Sequence, residues 1–297
     1  GEKTVEPGIG QVVLTLGDGE SMPLKRDTNR LIFGGTMLQV RNERGTLVYS
    51  RIKSKEASEK IVYNTLTVPV RERFQLVLAD GTKVFLNSGS EMRYPERFGK
   101  ARREVFLKGE AWFEVAKDSA REFWVHAGAM DVKVLGTSFN VKAYERLETV
   151  ATTLVEGSVE VACAGKSFQI VPGEQFVYDK NNRVMDVRMV DTESYVSWKD
   201  GYYKFRQTTL EEIMETLSVW YGLNVFYVNE SAKQVEFTGK VKRYEDARML
   251  LDKFEQTGDV VFDIKGNNVF ITIKQKKPFA REWNSFLVKA RGMVWQS

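Results

Sequence analysis

Carboxylates are the side chains of this 297-residue sequence whose types and spacing could do chemistry. Asp80 and Glu91 lie in VLADGTKVFLNSGSEMRYPERF (77–98), where a hydrolase would place acids beside a substrate. Glu110 and Glu114 in GEAWFEVA, and Glu156 and Glu160 in VEGSVEV, could line one face of neighbouring strands, the arrangement that acid–base cleavage of a glycosidic bond needs. The same acids beside Lys or Arg on the solvent face of an antiparallel strand are ordinary and do no chemistry. Trp112, Phe113, Phe123 and Trp124 are likewise either a sugar platform or, more simply, core.

Other chemistries lack their parts. His126 is the only histidine and Cys163 the only cysteine, so no zinc set of ordinary composition can be assembled and no intramolecular disulfide can form. Cys163 lies in SVEVACAG, where the strand reading places it on the opposite face from Val159 and Val161, and nothing brings it to His126 for a Cys–His dyad. There is no G-x-S-x-G elbow, no phosphate-binding G-x-x-x-x-G-K-[ST] and no G-x-G-x-x-G between a strand and a helix. No catalytic residue, cofactor or metal ligand is therefore assigned.

Lys and Arg number 44 against 40 acids, a formal charge of +4 spread along the chain, which does not demand nucleic acid. The basic runs KARR (100–103), KVKR (240–243) and KQKK (274–277) are short, stand close to acids, and are expected on solvated faces. No stretch approaches the roughly 18 apolar residues that span a bilayer, and the start GEKTVEPGIG has no apolar signal core, so any anchor of the natural protein is expected outside this sequence. A 42% hydrophobic, 12% aromatic chain of this length can build one large or two ordinary cores.

What would position the carboxylates is a many-stranded β domain. Period-two alternation runs from about residue 10 to 190 in QVVLTL, FQLVLA, REVFLKG, AWFEVA, SFNVKA and their neighbours, punctuated by Asp-Gly, Lys-Gly, Glu-Gly and Pro-Gly turns. No helical spacing of comparable strength precedes residue 208, which excludes a parallel sheet with helical crossovers and leaves sandwich, barrel or solenoid. VVLTLGDGESMPL (12–24) repeats the plan of FQLVLADGTKVFL (74–86), so Asp18 and Asp80 are expected to hold turns in which Gly19 and Gly81 take positive φ.

From residue 199 helical periodicity enters. Leu210, Ile213, Met214, Leu217, Trp220 and Tyr221 form one stripe, Thr208 and Glu211 have capping-box spacing, and Gly222 ends the helix. A second helix carries Ala247, Leu250, Leu251 and Phe254 and ends near Gly258. The predicted order is β-α-β-β-α-β-β over 199–275, a small two-layer α+β domain expected to have its own core and to fold alone, with Trp220 inside it. Its last run, NNVFITIK, is expected at a sheet edge. There Asn268, Phe270 and Thr272 could pair with a partner strand; in the simpler alternative Val269, Ile271 and Ile273 pack on the helices while Phe270 and Thr272 face water.

The succession LADGTKVFLNSGSEMRYPERF, EVFLKGEAWFEVAKD, VLGTSFNV, TTLVEGSVEV and VPGEQFVY resembles the FecR family over 61 to about 190. WKDGYYKFRQTTLEEIMETLSVWYGLNVFY resembles the small C-terminal domain of its polysaccharide-utilisation branch, itself similar to the secretin/TonB short N-terminal domain. Residues 11–50 resemble the variable lead of that branch, whereas the tail KKPFAREWNSFLVKARGMVWQS resembles nothing known to us. One departure stands at TVPVRERFQL, where relatives often carry a glycine-containing turn and this chain has Val70, Arg71 and Glu72.

The resemblance implies a mainly β protein: an N-terminal β lead (1–60), a solenoid or sandwich-like FecR domain (61–195), the α+β domain (199–275) and an unassigned tail (276–297). It further implies the periplasmic region of an inner-membrane anti-sigma factor. Such a region senses the signalling domain of a TonB-dependent outer-membrane transporter, and a cytoplasmic domain holds an extracytoplasmic-function sigma factor. It implies no enzyme; the rival expectation is a carbohydrate-active lyase or glycosidase on a β-rich scaffold.

Overall fold

The computed structural model describes residues 10–24, 30–34, 38–43, 46–51, 61–243, 246–257 and 259–274; the 276–297 tail, Gly258 and most of the KQKK run lie outside them. The alternating segments fold into hairpins that are shared by turns between two sheets. Phe123–Ala127 and Met130–Val134 lie in the first sheet and Ser138–Ala143 with Thr149–Glu156 in the second. Val159–Cys163 and Lys166–Ile170 return to the first, and Glu174–Asp179 with Val184–Met189 to the second. Inner faces of both sheets share one core, with Val125, Val132 and Val161 on one side and Phe113, Phe139 and Phe176 on the other. The rings of Phe113 and Phe123 meet across it at 6.2 Å. Two facing, mostly antiparallel layers make this a sandwich, and not a closed barrel.

One strand, Arg103–Glu114, belongs to both layers. Residues 106–108 pair with Arg93–Glu91 in the first sheet, and residues 109–114 pair with Ala143–Ser138 in the second. Gly109 marks the crossing. Its φ is 104°, and a Cβ there would lie 2.7 Å from Ser90 Cα, so only glycine lets the strand pass Ser90 while changing sheets.

The two hairpins that repeat in sequence repeat in geometry. Leu16 and Leu78 each donate a backbone N–H to the residue four on, at 2.8 Å, while Gly19 (φ 93°) and Gly81 (φ 86°) donate back to Leu16 and Leu78. Asp18 Oδ1 accepts from Glu20 N and Asp80 Oδ1 from Thr82 N, each at 3.0 Å. At the departure from the family pattern Arg71 takes φ 69°, the left-handed conformation a glycine would adopt. The described strands of the N-terminal lead extend both layers: Val12–Thr15 pairs with Tyr63–Val68, and Thr46–Arg51 runs parallel to Phe74–Val77. Leu14 and Leu47 are wholly buried in the common core.

Cys163 corrects one expectation. Residues 159, 161 and 163 are two apart and must share a face; all three are buried in the core, with Glu160 and Ala162 on the other side.

The C-terminal elements follow the predicted order: strand Tyr202–Thr209, helix Leu210–Tyr221, strand Asn224–Tyr227, strand Glu236–Lys242, helix Ala247–Thr257, and strands Val260–Lys265 and Asn268–Ile273. Every apolar position named on the two helices is buried. The first helix is capped one residue later than the spacing suggests, by Thr209, whose hydroxyl accepts from Glu212 N at 3.3 Å. The strands divide into two sheets: Tyr202–Thr209 pairs with Glu236–Lys242, and Asn268–Ile273 stands between Asn224–Tyr227 and Val260–Lys265.

Candidate functional site

The candidate acids do not converge on a site. Asp80 is a structural residue: its Oδ2 accepts from Thr82 Oγ1 and from Arg103 Nη1, each at 2.8 Å, and both partners of the ion pair are buried. Arg103, the last residue of the KARR run, is therefore no solvated cation; its side chain is fully buried and also donates to the carbonyls of Ala116, Arg121 and Leu135. Glu91 pairs along its strand with Thr67 and Lys108 at the half-exposed surface of the first sheet. Glu160 lies on the outer face of that sheet, with Lys133 Nζ at 2.5 Å, whereas Glu110 lies on the outer face of the other. Glu114 and Glu156 flank Ser138 on adjacent strands and border a shallow depression of about 250 Å³, where Trp112 Nε1 donates to Glu114 and Lys83 stands 3.8 Å away.

His126 and Cys163 occupy opposite faces of the first sheet. The imidazole lies on the outer face between Asp131 (2.7 Å) and Glu104 (3.4 Å) and stacks on Phe106, while the thiol points into the core, where burial raises its pKa.

Two places combine buried polar groups or exposed apolar ones in ways that packing alone does not require. The first is the junction of the two domains. Glu110, Trp112 and Asn140 project from the outer face of the second sheet toward the C-terminal elements. Asn87 Nδ2 and Asn140 Nδ2 donate to the two oxygens of Glu110 at 2.7 and 2.9 Å, and Trp198 Nε1 donates to Asn140 Oδ1 at 3.2 Å. Trp112, with Phe85 and Val155, packs into the same cluster as Trp220, Leu217 and Phe254. The C-terminal core is thus continued by residues of the sandwich, which differs from the self-contained core expected for 199–275. The sequence carries no signal for this: Trp112 alternates like any strand residue, and its partners Leu217, Trp220 and Phe254 lie at least 105 residues later.

Burial raises the Glu110 carboxyl above its ordinary value, against the opposing effects of Lys142, Asn140 and Asn87. The folded chain therefore holds this proton more tightly than the unfolded one. The stabilisation it brings is complete below the unfolded value near 4.5 and is lost as pH rises through the folded one. The melting-temperature advantage of the wild type over Glu110→Gln should accordingly be greatest in acid and shrink toward neutrality. An advantage constant from about pH 4 to 8 would mean that Glu110 titrates alike in both states.

The second place is the outer face of the three-stranded sheet. Asn268–Ile273 is its central strand, hydrogen-bonded on both sides, so the expectation of an edge at Asn268, Phe270 and Thr272 is overturned. Thr272 is paired with Val261, and Thr272→Pro would break the sheet itself. The alternation holds: Val269 and Ile271 are buried and Ile273 is packed against the same cluster, while Asn268, Phe270 and Thr272 are half-exposed on the other face. There Phe270 stacks on Phe226 at 5.1 Å, and Phe226, Val228 and Val261 are 47%, 62% and 41% exposed. Isolated exposed apolar residues are common, but a stacked aromatic pair flanked by two valines is a patch.

Two family models match this chain. The family model described as FecR protein matches residues 64–160, and that described as FecR, C-terminal matches residues 202–271. A 1.65 Å crystal structure of a candidate anti-sigma factor from Parabacteroides distasonis superimposes with a TM-score of 0.65 at 27% identity, covering 71% of this chain and 99% of that one. A 2.50 Å structure of a candidate anti-sigma factor from the same organism gives the same score and identity, with 72% and 100% covered. No curated protein matches. With both FecR models matched in order, on a fold shared with these structures, the chain belongs to the FecR family.

Proposed function

We propose that this chain is the periplasmic sensor region of an inner-membrane anti-sigma factor. In this reading it receives its signal from the signalling domain of a TonB-dependent outer-membrane transporter and controls an extracytoplasmic-function sigma factor. The anti-sigma family implies a sigma-factor partner and a regulatory role. Among the described residues no helix is long and apolar enough to cross a membrane. The observation that carries the reading is the open face of the C-terminal sheet. Its apolar centre, Phe226, Phe270, Val228 and Val261, is bordered by Asn224, Asn268, Asp263 and Lys265, the apolar middle and polar rim of a protein-binding surface. Asn268, Phe270 and Thr272 thus remain partner-binding residues, engaged through side chains of a sheet face and not through a free backbone edge.

Phe226→Asp/Phe270→Asp should weaken capture of the transporter signalling domain at least 30-fold, since a central aromatic contributes about 2 kcal/mol or more to an interface. Its melting temperature should stay near that of the wild type, because both rings lie outside the core. Unchanged affinity in the folded variant would move the interface onto the sandwich. We also propose that the protein turns over no glycan, because both oxygens of the buried Glu110 are engaged by Asn87 and Asn140. Cleavage of a glycan above a denatured control would overturn this.

A further inference from the structure

Beside the apolar junction, the outer face of the second sheet and the C-terminal domain enclose a cleft of about 500 Å³, within the usual range of small-molecule sites. Its floor is a polar rung across four adjacent strands, Asn140, Thr153, Gln175 and Arg188, each directly opposite the next. Gln175 Nε2 donates to Thr153 Oγ1 at 2.9 Å, and Arg188 Nη2 donates to Gln175 Oε1 at 3.4 Å, so the floor is held by its own hydrogen bonds. The roof comes from the turn Ser194–Trp198, the strand Tyr203–Thr208 and the first helix.

The roof holds the unusual groups. Ser197 and Tyr203 are only 5% and 4% exposed, and their hydroxyls, with that of Ser194, are buried with no hydrogen-bond partner among the described residues. A buried hydroxyl without a partner is costly, and three lining one cleft call for an explanation. Charge along the walls is nearly balanced, Lys142, Arg188, Lys204 and Arg206 against Glu110, Glu212 and Glu215, and Lys204 is bound by Asp191 and Glu193. The cleft therefore selects neither anion nor cation. Its buried groups without a partner among the described residues are hydroxyls, each able both to donate and to accept, and Trp198, Tyr195 and Phe205 add aromatic surface to the lining.

We infer that this cleft is a binding site for a neutral, polyhydroxylated molecule of small-oligosaccharide size, held by the hydroxyls of Ser194, Ser197 and Tyr203 against the Thr153–Gln175 floor. The site is separate from the open sheet face and does not depend on which protein that face binds.

The test is saturation-transfer NMR on the intact chain with neutral trisaccharides of glucose, of xylose and of N-acetylglucosamine, and with trigalacturonate as the charged counterpart. The expected result is transfer to at least one neutral trisaccharide, with affinity at least tenfold weaker in Ser197→Ala/Tyr203→Phe. A structural role for these hydroxyls would lower the melting temperature of that variant, whereas ligand-binding groups left unpaired in the free protein would leave it unchanged or raised. No transfer to any neutral sugar, preference for trigalacturonate, or undiminished binding in the folded double variant would overturn the inference.

Discussion

Asp80→Ala is expected to destabilise the protein by about 3–5 kcal/mol, the range for removing one partner of a buried ion pair. The Arg103 guanidinium, fully buried, would keep its carbonyl acceptors at Ala116, Arg121 and Leu135 but lose the carboxylate of Asp80, the only one it is bonded to among the described residues. Carbonyl dipoles satisfy its N–H groups; they do not cancel its charge. Asp18→Ala is the internal control. It empties the equivalent turn position in the sister hairpin, where the carboxylate is exposed and accepts one backbone bond from Glu20, so it should cost about 1 kcal/mol or less. Urea melts of the two variants side by side decide the matter, and equal losses would mean that the turn, and not the ion pair, is what Asp80 supports. Asp80→Ala/Arg103→Met should recover part of the loss, because an apolar side chain beside Phe123 has no charge to strand.

Trp220→Ala is expected to cost about 3–5 kcal/mol through the cavity it leaves. The indole is 3% exposed, Arg243 lies over its ring, and the backbone carbonyl of the same residue accepts from Arg71 N and Ser88 Oγ, each at 2.9 Å. Those last two bonds tie the end of the helix to the sandwich, as do the bonds from Arg73 to the carbonyls of Trp198 and Lys199. Because Trp112, Phe85 and Val155 complete the Trp220 cluster, the loss should appear as a downward shift of one unfolding transition followed by probes in both domains. An early transition confined to the C-terminal domain, with the sandwich unmoved, would show that the shared cluster does not couple them. By the same reasoning, the isolated fragment 199–275 should be less stable than the same residues in the whole chain, since it would expose the surface that Trp112 covers.

Local pattern was enough to identify the elements of this protein. Alternation with period two marks the strands from Val12 to Met189. Asp-Gly pairs at 18–19 and 80–81 mark two turns with the same hydrogen bonds, and the stripe Leu210–Tyr221 marks a helix down to its Gly222 stop. These features depend on neighbours a few residues apart, and such neighbours are visible in a sequence. Which elements meet is set by contacts between distant segments, and there local reading failed. The KARR run looks solvated until Arg103 is seen to reach Asp80, 23 residues back. The last strand looks like an edge because it is last, yet the parallel pairing of Asn224–Tyr227 with it makes it central. Glu110 looks like half of an acid pair along one strand, until Asn87 and Asn140 close on it from two others. The cleft is the extreme case: its floor and roof come from segments that each satisfy their own strand or helix pattern. Only packing the C-terminal domain against the second sheet brings Ser197 and Tyr203 into the lining of one cleft with Gln175 and Thr153.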